Sequence, residues 1–251
     1  MNAPEPLIEA RDLALGYGTG PVALSGVGFE LRAGERLAVL GPNGGGKTTL
    51  LRALLGQLRP RAGELAVRAS CGTVPQTERS RLDYPVSALE VAAMGALSRL
   101  PWWRSSGRAG REQARAALAR VGLAERAEAT FGELSGGQRQ RVLIARALVQ
   151  DSRVLLMDEP FTGLDRPAAE RLEALIVELA GEGHAIVIAT HDLEQARRWD
   201  SVLCLNKRQI AAGPPAAVLD VPVLEATYGG AIVELPDGSG RAVLPAHHHH
   251  H

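Results

Sequence analysis

A strand-like run, Arg36-Leu37-Ala38-Val39-Leu40, leads without interruption into Gly41-Pro42-Asn43-Gly44-Gly45-Gly46-Lys47-Thr48. From Lys47 the pattern becomes that of a helix carrying Leu50, Leu51, Leu54 and Leu55, with a break at Gly56. Few folds accept this order. The glycines let backbone N–H groups turn inward, and a helix starting near Lys47 aims its positive end at the same point. Lys47 supplies a compact positive charge and Thr48 a hydroxyl suited to Mg²⁺. Strand, glycine loop and helix together form the setting of a loop that cradles the β- and γ-phosphates of a nucleotide.

A second segment, Val154-Leu155-Leu156-Met157-Asp158-Glu159, reads as a central parallel strand buried on both faces and ending in two acids. Ligands gather at the carboxyl ends of such strands, so Asp158 is placed to reach a Mg²⁺ ion. Side chains alternate along an extended chain, which would send Glu159 the other way, toward an attacking water. Between these two segments lies Leu134-Ser135-Gly136-Gly137-Gln138, just before another helical pattern. Ser135 suits the N-cap, and Gly136 and Gly137 expose amides at the positive helix end. This is a second anion site. One chain has no obvious way to use both sites on one nucleotide, so the triphosphate is expected between two copies.

At 251 residues the chain can bury a full core. Lysine plus arginine number 28, as do aspartate plus glutamate, and aromatic residues make up 4%. That balance argues against a nucleic-acid partner held by phosphate neutralisation or base stacking. Cys71 and Cys204 have no metal-type spacing and read as two buried free thiols. No apolar run approaches the roughly 18–20 residues that cross a bilayer, and the start, Met1-Asn2-Ala3-Pro4-Glu5, lacks the pattern of a secretory signal. A cytosolic protein is expected, with any membrane role exerted through a partner. The final run, His247 to His251, reads either as an expression tag or as a native metal-binding tail.

Residues 7–17 read as an edge strand entering the turn Gly16-Tyr17-Gly18, and Phe29–Leu31 as a further strand. Residues 85–150 are rich in Ala, Arg, Leu and Glu and predict three helices, about 86–98, 108–121 and 137–149. The stretch Pro101-Trp102-Trp103-Arg104-Ser105-Ser106-Gly107 would link the first two. A helix over Pro167–Ala180 and strands at Ala185–Thr190 and Val202–Leu205 follow, and after Lys207 only a short tail is expected.

With these motifs in hand, the chain resembles the ATPase subunit of ATP-binding-cassette (ABC) transporters over residues 5 to about 230. Further marks stand in family order: Tyr17, Gln76 in Val74-Pro75-Gln76, Gly163-Leu164-Asp165, and His191 in Thr190-His191-Asp192. The resemblance implies an α/β P-loop NTPase core with an N-terminal antiparallel β subdomain and an inserted helical subdomain. It implies one domain over 1–230, with 1–83 and 151–230 as the nucleotide-binding core and 84–150 as the helical part. A tail at 231–246 and the His run at 247–251 lie outside it. Two copies would hold ATP and Mg²⁺ head to tail. Tyr17 would stack on adenine. Gly41 to Thr48 and Thr49 of one chain, with Ser135, Gly136, Gly137, Gln138 and Asp165 of the other, would bind the nucleotide. Thr48, Asp158 and Gln76 would serve the Mg²⁺. Glu159 would handle the lytic water, with Lys47, Gln76 and His191 completing the catalytic set. Gly45 and Thr48 stand where many members have Ser, changes that keep the small size or the hydroxyl.

The segment Asp83-Tyr84-Pro85-Val86-Ser87-Ala88-Leu89-Glu90-Val91, then Met94-Gly95, resembles importer ATPases. Together with Trp102-Trp103 and the ending Tyr228-Gly229-Gly230, it is most similar to subunits of manganese, zinc or iron importers. Such a subunit would sit at the cytoplasmic face of the inner membrane, bound to permease subunits and served indirectly by an extracytoplasmic metal-binding protein. The Trp pair fits either a permease contact or a packed aromatic corner. Importers of iron chelate or haem, and a soluble ABC ATPase without a permease, share the nucleotide motifs. A GTPase would need Asn-Lys-x-Asp, whereas Asn206-Lys207 is followed by Arg208-Gln209.

Overall fold

The computed structural model describes residues 5–75, 85–97 and 107–229, and the backbone of two short strands beyond them. The chain opens with β1 (Ile8–Gly16), β2 (Val22–Leu31) and β3 (Arg36–Leu40), followed by α1 (Lys47–Leu54), β4 (Ala62–Val67) and β5 (Cys71–Val74). Three helices come next: α2 (Ala88–Leu97), α3 (Gly107–Arg120) and α4 (Gly136–Val149). Then come β6 (Val154–Asp158), α5 (Arg166–Gly181), β7 (Ala185–Thr190) and α6 (Leu193–Ala196). The rest comprises β8 (Ser201–Leu205), β9 (Gln209–Gly213), α7 (Pro215–Val218), α8 (Val221–Tyr228), β10 (Ile232–Glu234) and β11 (Arg241–Val243). These elements group into two compact units, one within residues 1–31, 36–67 and 189–251, the other within 32–35 and 68–188.

The first unit holds an antiparallel sheet in the order β2-β1-β4. β1 is its middle strand, with Ile8 opposite Leu31 on one side and Val67 on the other. This corrects the expectation of an edge strand. Leu13 and Leu15 are fully buried, but the polar Glu9, Arg11 and Asp12 between the apolar positions masked that role. Asp12 turns at φ 44°, where the pairing slips. β2 also begins well before Phe29, because Ser25, Gly26 and Gly28 dilute its alternation. In the same unit β3 pairs parallel with β8, and β8 antiparallel with β9. The residues after Lys207 continue this sheet as β9 and then form α7 and α8. Asp220 caps α8 by accepting from the Val223 amide at 2.9 Å, and Gly229 ends it at φ 66°.

In the second unit β5, β6 and β7 lie side by side, with Cys71 of β5 opposite Val154 of β6 in parallel. Val154 to Met157 and Ala185 to Ala189 are almost completely buried, as continuous apolar strands of a covered sheet must be. Each large side chain removed from water there contributes about 1.5–3 kcal/mol. The three expected helices are present. Gly95 explains how closely α2 approaches α4: a Cβ there would lie 2.1 Å from the Arg146 carbonyl oxygen. The Arg146 guanidinium in turn donates to the Thr73 carbonyl at 3.2 Å, tying α4 to β5. Cys204 is buried but Cys71 only half-buried, a partial correction, and burial pushes both thiols up to about 11.

Candidate functional site

The phosphate loop begins where β3 stops and ends where α1 starts. Its shape is fixed from behind by the end of β8. A Cβ on Gly41 would sit 2.2 Å from the Leu205 carbonyl oxygen, and one on Gly45 3.1 Å from the same atom. The Lys207 amide donates to the Gly45 carbonyl at 2.8 Å, and the Gly45 amide to Pro42 at 3.0 Å. Gly46, the N-cap of α1, sits at φ 109°, and a Cβ there would press on Leu24 at 2.9 Å. Gly44 differs: at φ 76° it has nothing within 4 Å of its Cβ position, and with Asn43 it is exposed. No side chain caps α1 and no acid lies in its first turn. Its leading amides and positive end are thus left to an anion. Lys47 is 8% exposed, and its Nζ donates to the carbonyls of Gly41 at 2.6 Å and Pro42 at 3.4 Å. A buried ammonium needs such compensation, and a phosphate oxygen can supply more of it. Thr48 is half-buried beside it.

Tyr17 follows directly after β1 and is 43% exposed. Its hydroxyl lies 3.1 Å from Thr49 Oγ1, and the Arg52 guanidinium carbon lies 5.7 Å from its ring centre, within cation–π range. His191 follows β7 and is exposed. The next residue, Asp192, caps α6 by accepting from the Glu194 and Gln195 amides at 2.9 and 3.2 Å.

The second unit carries the acids and the other glycine turn. Asp158 is the last residue of β6, and Glu159 turns out of it at φ 50°. The two carboxylates are separated by this left-handed residue and not by extended-chain alternation, which corrects the reasoning from sequence. Such a backbone costs about 1–3 kcal/mol at a residue other than glycine. The turn is held by the Thr162 amide donating to the Glu159 carbonyl at 3.2 Å, and the Thr162 hydroxyl reaches the Glu159 carboxylate at 3.5 Å.

Ser135 caps α4 as expected, in a full capping box. Its Oγ accepts from the Gln138 amide at 3.3 Å, and Gln138 Oε1 accepts from the Ser135 amide at 2.9 Å. The box occupies the side chains of Ser135 and Gln138 and leaves the amides of Gly136 and Gly137 at the head of the helix. The two glycines are not equivalent. A Cβ on Gly137 would lie 2.8 Å from the Ala168 Cβ, whereas one on Gly136 would make only ordinary contacts, with Leu164 Cδ2 at 3.5 Å and the Gly163 carbonyl oxygen at 3.8 Å. The Asp165 carboxylate caps α5 through the Ala168 amide at 2.8 Å. Within this unit the Gly163–Asp165 turn and the Ser135–Gln138 turn are therefore brought together.

Gln76, Asp83, Tyr84, Pro101 to Ser106 and Gly230 lie outside the described residues. The importer-like segment is described from Pro85 onward. There the amide and hydroxyl of Ser87 both donate to Glu90 Oε2 at 2.8 Å, and these bonds hold the Glu90 carboxyl below its usual range. Sequence reasoning missed the support of the phosphate loop by Leu205 and Lys207, which no local pattern announces. It also missed Arg52 and Arg61 beside Tyr17.

The sequence profile of the family described as ABC transporter matches residues 24–162. The chain belongs to the ABC transporter family. It is 35% identical to the manganese transport system ATP-binding protein MntB of Bacillus subtilis, over 92% of this chain and 95% of that one. It is 36% identical to the zinc transport system ATP-binding protein TroB of Treponema pallidum, over 99% and 97% respectively. Among solved structures, a subunit of an ABC transporter in an inward-facing conformation superposes with a TM-score of 0.83 at 28% identity, covering 97% of this chain and 99% of that one. As an ABC transporter ATPase, the chain hydrolyses ATP, and the hydrolysis is coupled to transport. No helix among the described residues is long and apolar enough to cross a membrane.

Proposed function

We propose that this chain is the ATP-hydrolysing subunit of an importer for a divalent metal ion, manganese, zinc or iron. The observation that carries the proposal is the likeness to manganese and zinc transport subunits over at least nine-tenths of both chains. In this reading two copies bind ATP head to tail. The Gly41–Thr48 loop, Lys47 and Thr49 of one copy hold the phosphates. The Gly136 and Gly137 amides of the other copy, set by Ser135, Gln138 and Asp165, close over them. Burying a triphosphate is tolerable only with such compensation, so ATP favours the closed pair and loss of the γ-phosphate favours opening.

The Thr48 hydroxyl and the Asp158 carboxylate, both half-buried, are hard oxygen donors that fit Mg²⁺; with Gln76 they would hold it. The ion would neutralise charge between the β- and γ-oxygens. Glu159 accepts the proton of the attacking water or orients it, and His191 positions that water against the γ-phosphate.

A permease is the partner that transport requires. A groove of about 920 Å³ between α2 and α3 supports a docking place on this chain. Ala93, Met94 and Leu97 line it, with Met94 and Leu97 almost half exposed, and Arg108, Arg111 and Arg115 edge it. The chain would then lie at the cytoplasmic face of the membrane, and an extracytoplasmic metal-binding protein would act on the permease from the other side. Two measurements test the reading. Glu159→Gln should lower ATP turnover by about a thousand-fold while leaving ATP binding intact; ordinary turnover would remove Glu159 from the chemistry. Cells lacking this chain should lose uptake of labelled manganese, zinc or iron, and unchanged uptake of all three would overturn the metal assignment.

A further inference from the structure

Arg61, just ahead of β4, reaches across to the turn that carries Tyr17. Its Nη2 donates to the carbonyls of Tyr17 at 3.0 Å and Gly18 at 2.6 Å, and its Nη1 to that of Gly20 at 2.5 Å. The Arg61 amide donates to Ala14 of β1 at 2.8 Å. The guanidinium packs against Gly16, where a Cβ would be 2.7 Å from its central carbon. A single planar fork therefore gathers three carbonyls on two nitrogens, a spacing that the single ammonium of lysine does not reproduce. The ring of Tyr17 is gripped independently from α1. Thr49 bonds its hydroxyl and Arg52 sits at its face. Thr49 and Arg52 are three residues apart on one helix face, and that helix begins at the phosphate loop.

We propose that Arg61 is a positioning residue for base recognition. By fixing the backbone of Tyr17 while Thr49 and Arg52 fix its ring, it sets the aromatic face in register with the phosphate loop before the nucleotide arrives. The ordering entropy of the turn is then lost on folding and not on binding, which is the source of affinity from preorganisation. The proposal rests on the reading of Tyr17 as the partner of adenine.

The test compares ATP with magnesium tripolyphosphate, which has no base, on the full chain carrying Arg61→Ala, Arg61→Lys or Tyr17→Ala. Both Arg61 variants should bind ATP about five-fold more weakly, the scale of one aromatic contact, and tripolyphosphate as the parent does. In hydrolysis the loss should fall on KM and not on kcat. In a Tyr17→Ala background, Arg61→Ala should add nothing. If Tyr17→Ala weakens ATP binding and Arg61→Ala does not, the role of Arg61 is refuted and the base reading stands. If Tyr17→Ala binds ATP as the parent does, the base reading falls and takes the proposal with it. Equal loss of ATP and tripolyphosphate in both Arg61 variants would show a general effect on the fold and would also overturn it.

Discussion

The two glycine turns of this chain, Gly41–Thr48 and Ser135–Gln138, are built in opposite ways, although the proposed function gives both the same task of presenting amides to an anion. The first is shaped from outside. Its helix has no side-chain cap, and three of its glycines are crowded by neighbours, Gly41 and Gly45 by the strand end at Leu205 and Gly46 by Leu24. The second is shaped from within. Ser135 and Gln138 satisfy each other in a capping box, which leaves the amides of half-buried Gly136 and buried Gly137 at the helix head. A loop that must surround a triphosphate needs a rigid mould and no competing oxygen. Under the dimer reading, a turn that need only approach one from a partner can be a self-contained helix end. The difference also separates glycines required by packing from glycines required by access.

The largest effect should come from Gly41→Ala, because the obstructing Leu205 carbonyl is backbone and cannot move aside. A loss of about 3 kcal/mol in chemical denaturation is expected, with nucleotide binding lost too. A stable Gly41→Ala protein would break the comparison at its first term. Gly137→Ala comes next, at about 2 kcal/mol, since α5 stands at 2.8 Å but the new methyl also favours the helix. Ser135→Ala should cost about 1 kcal/mol by removing the capping box. Gly136→Ala should shift stability by less than about 0.5 kcal/mol, its Cβ having ordinary room. Under the dimer reading it should still impair hydrolysis, because the methyl would stand between the amides and the phosphate. Full turnover by a normally folded Gly136→Ala chain would show that no triphosphate comes close to that turn.

Much of this was legible in the residues. A strong change of period, from the four-residue apolar run Leu37–Leu40 to leucines at helical spacing, marks β3 and α1 in any context. Ser135 with Gln138 three residues on is a local capping signal, and local signals survive without tertiary information. The misses share a cause. β1 is central only because β4 pairs with its far side, and in β4 the pair Gly63-Glu64 breaks up a short apolar stretch, so no clean alternation announced it. β9, α7 and α8 are short, and their burial depends on the strands they cover. At Glu159 the sequence shows two adjacent acids, but a positive φ at a non-glycine residue is set by surrounding structure and leaves no compositional trace. Arg61 looks like any surface arginine until the turn it gathers is folded beneath it.

The main chain of Lys207 sits between two parts of the first unit. Its N–H goes to Gly45 in the phosphate loop, and its C=O accepts from the Ser25 amide of β2 at 3.1 Å. Both bonds come from the main chain, so position 207 should tolerate almost any side chain that accepts φ 57°, with Asn and Gly the natural replacements. What it should not tolerate is proline, which lacks the donor, or a one-residue insertion, which would slide the donor out of reach. Homologous chains can therefore drift freely in letter at this turn while being held rigidly in length.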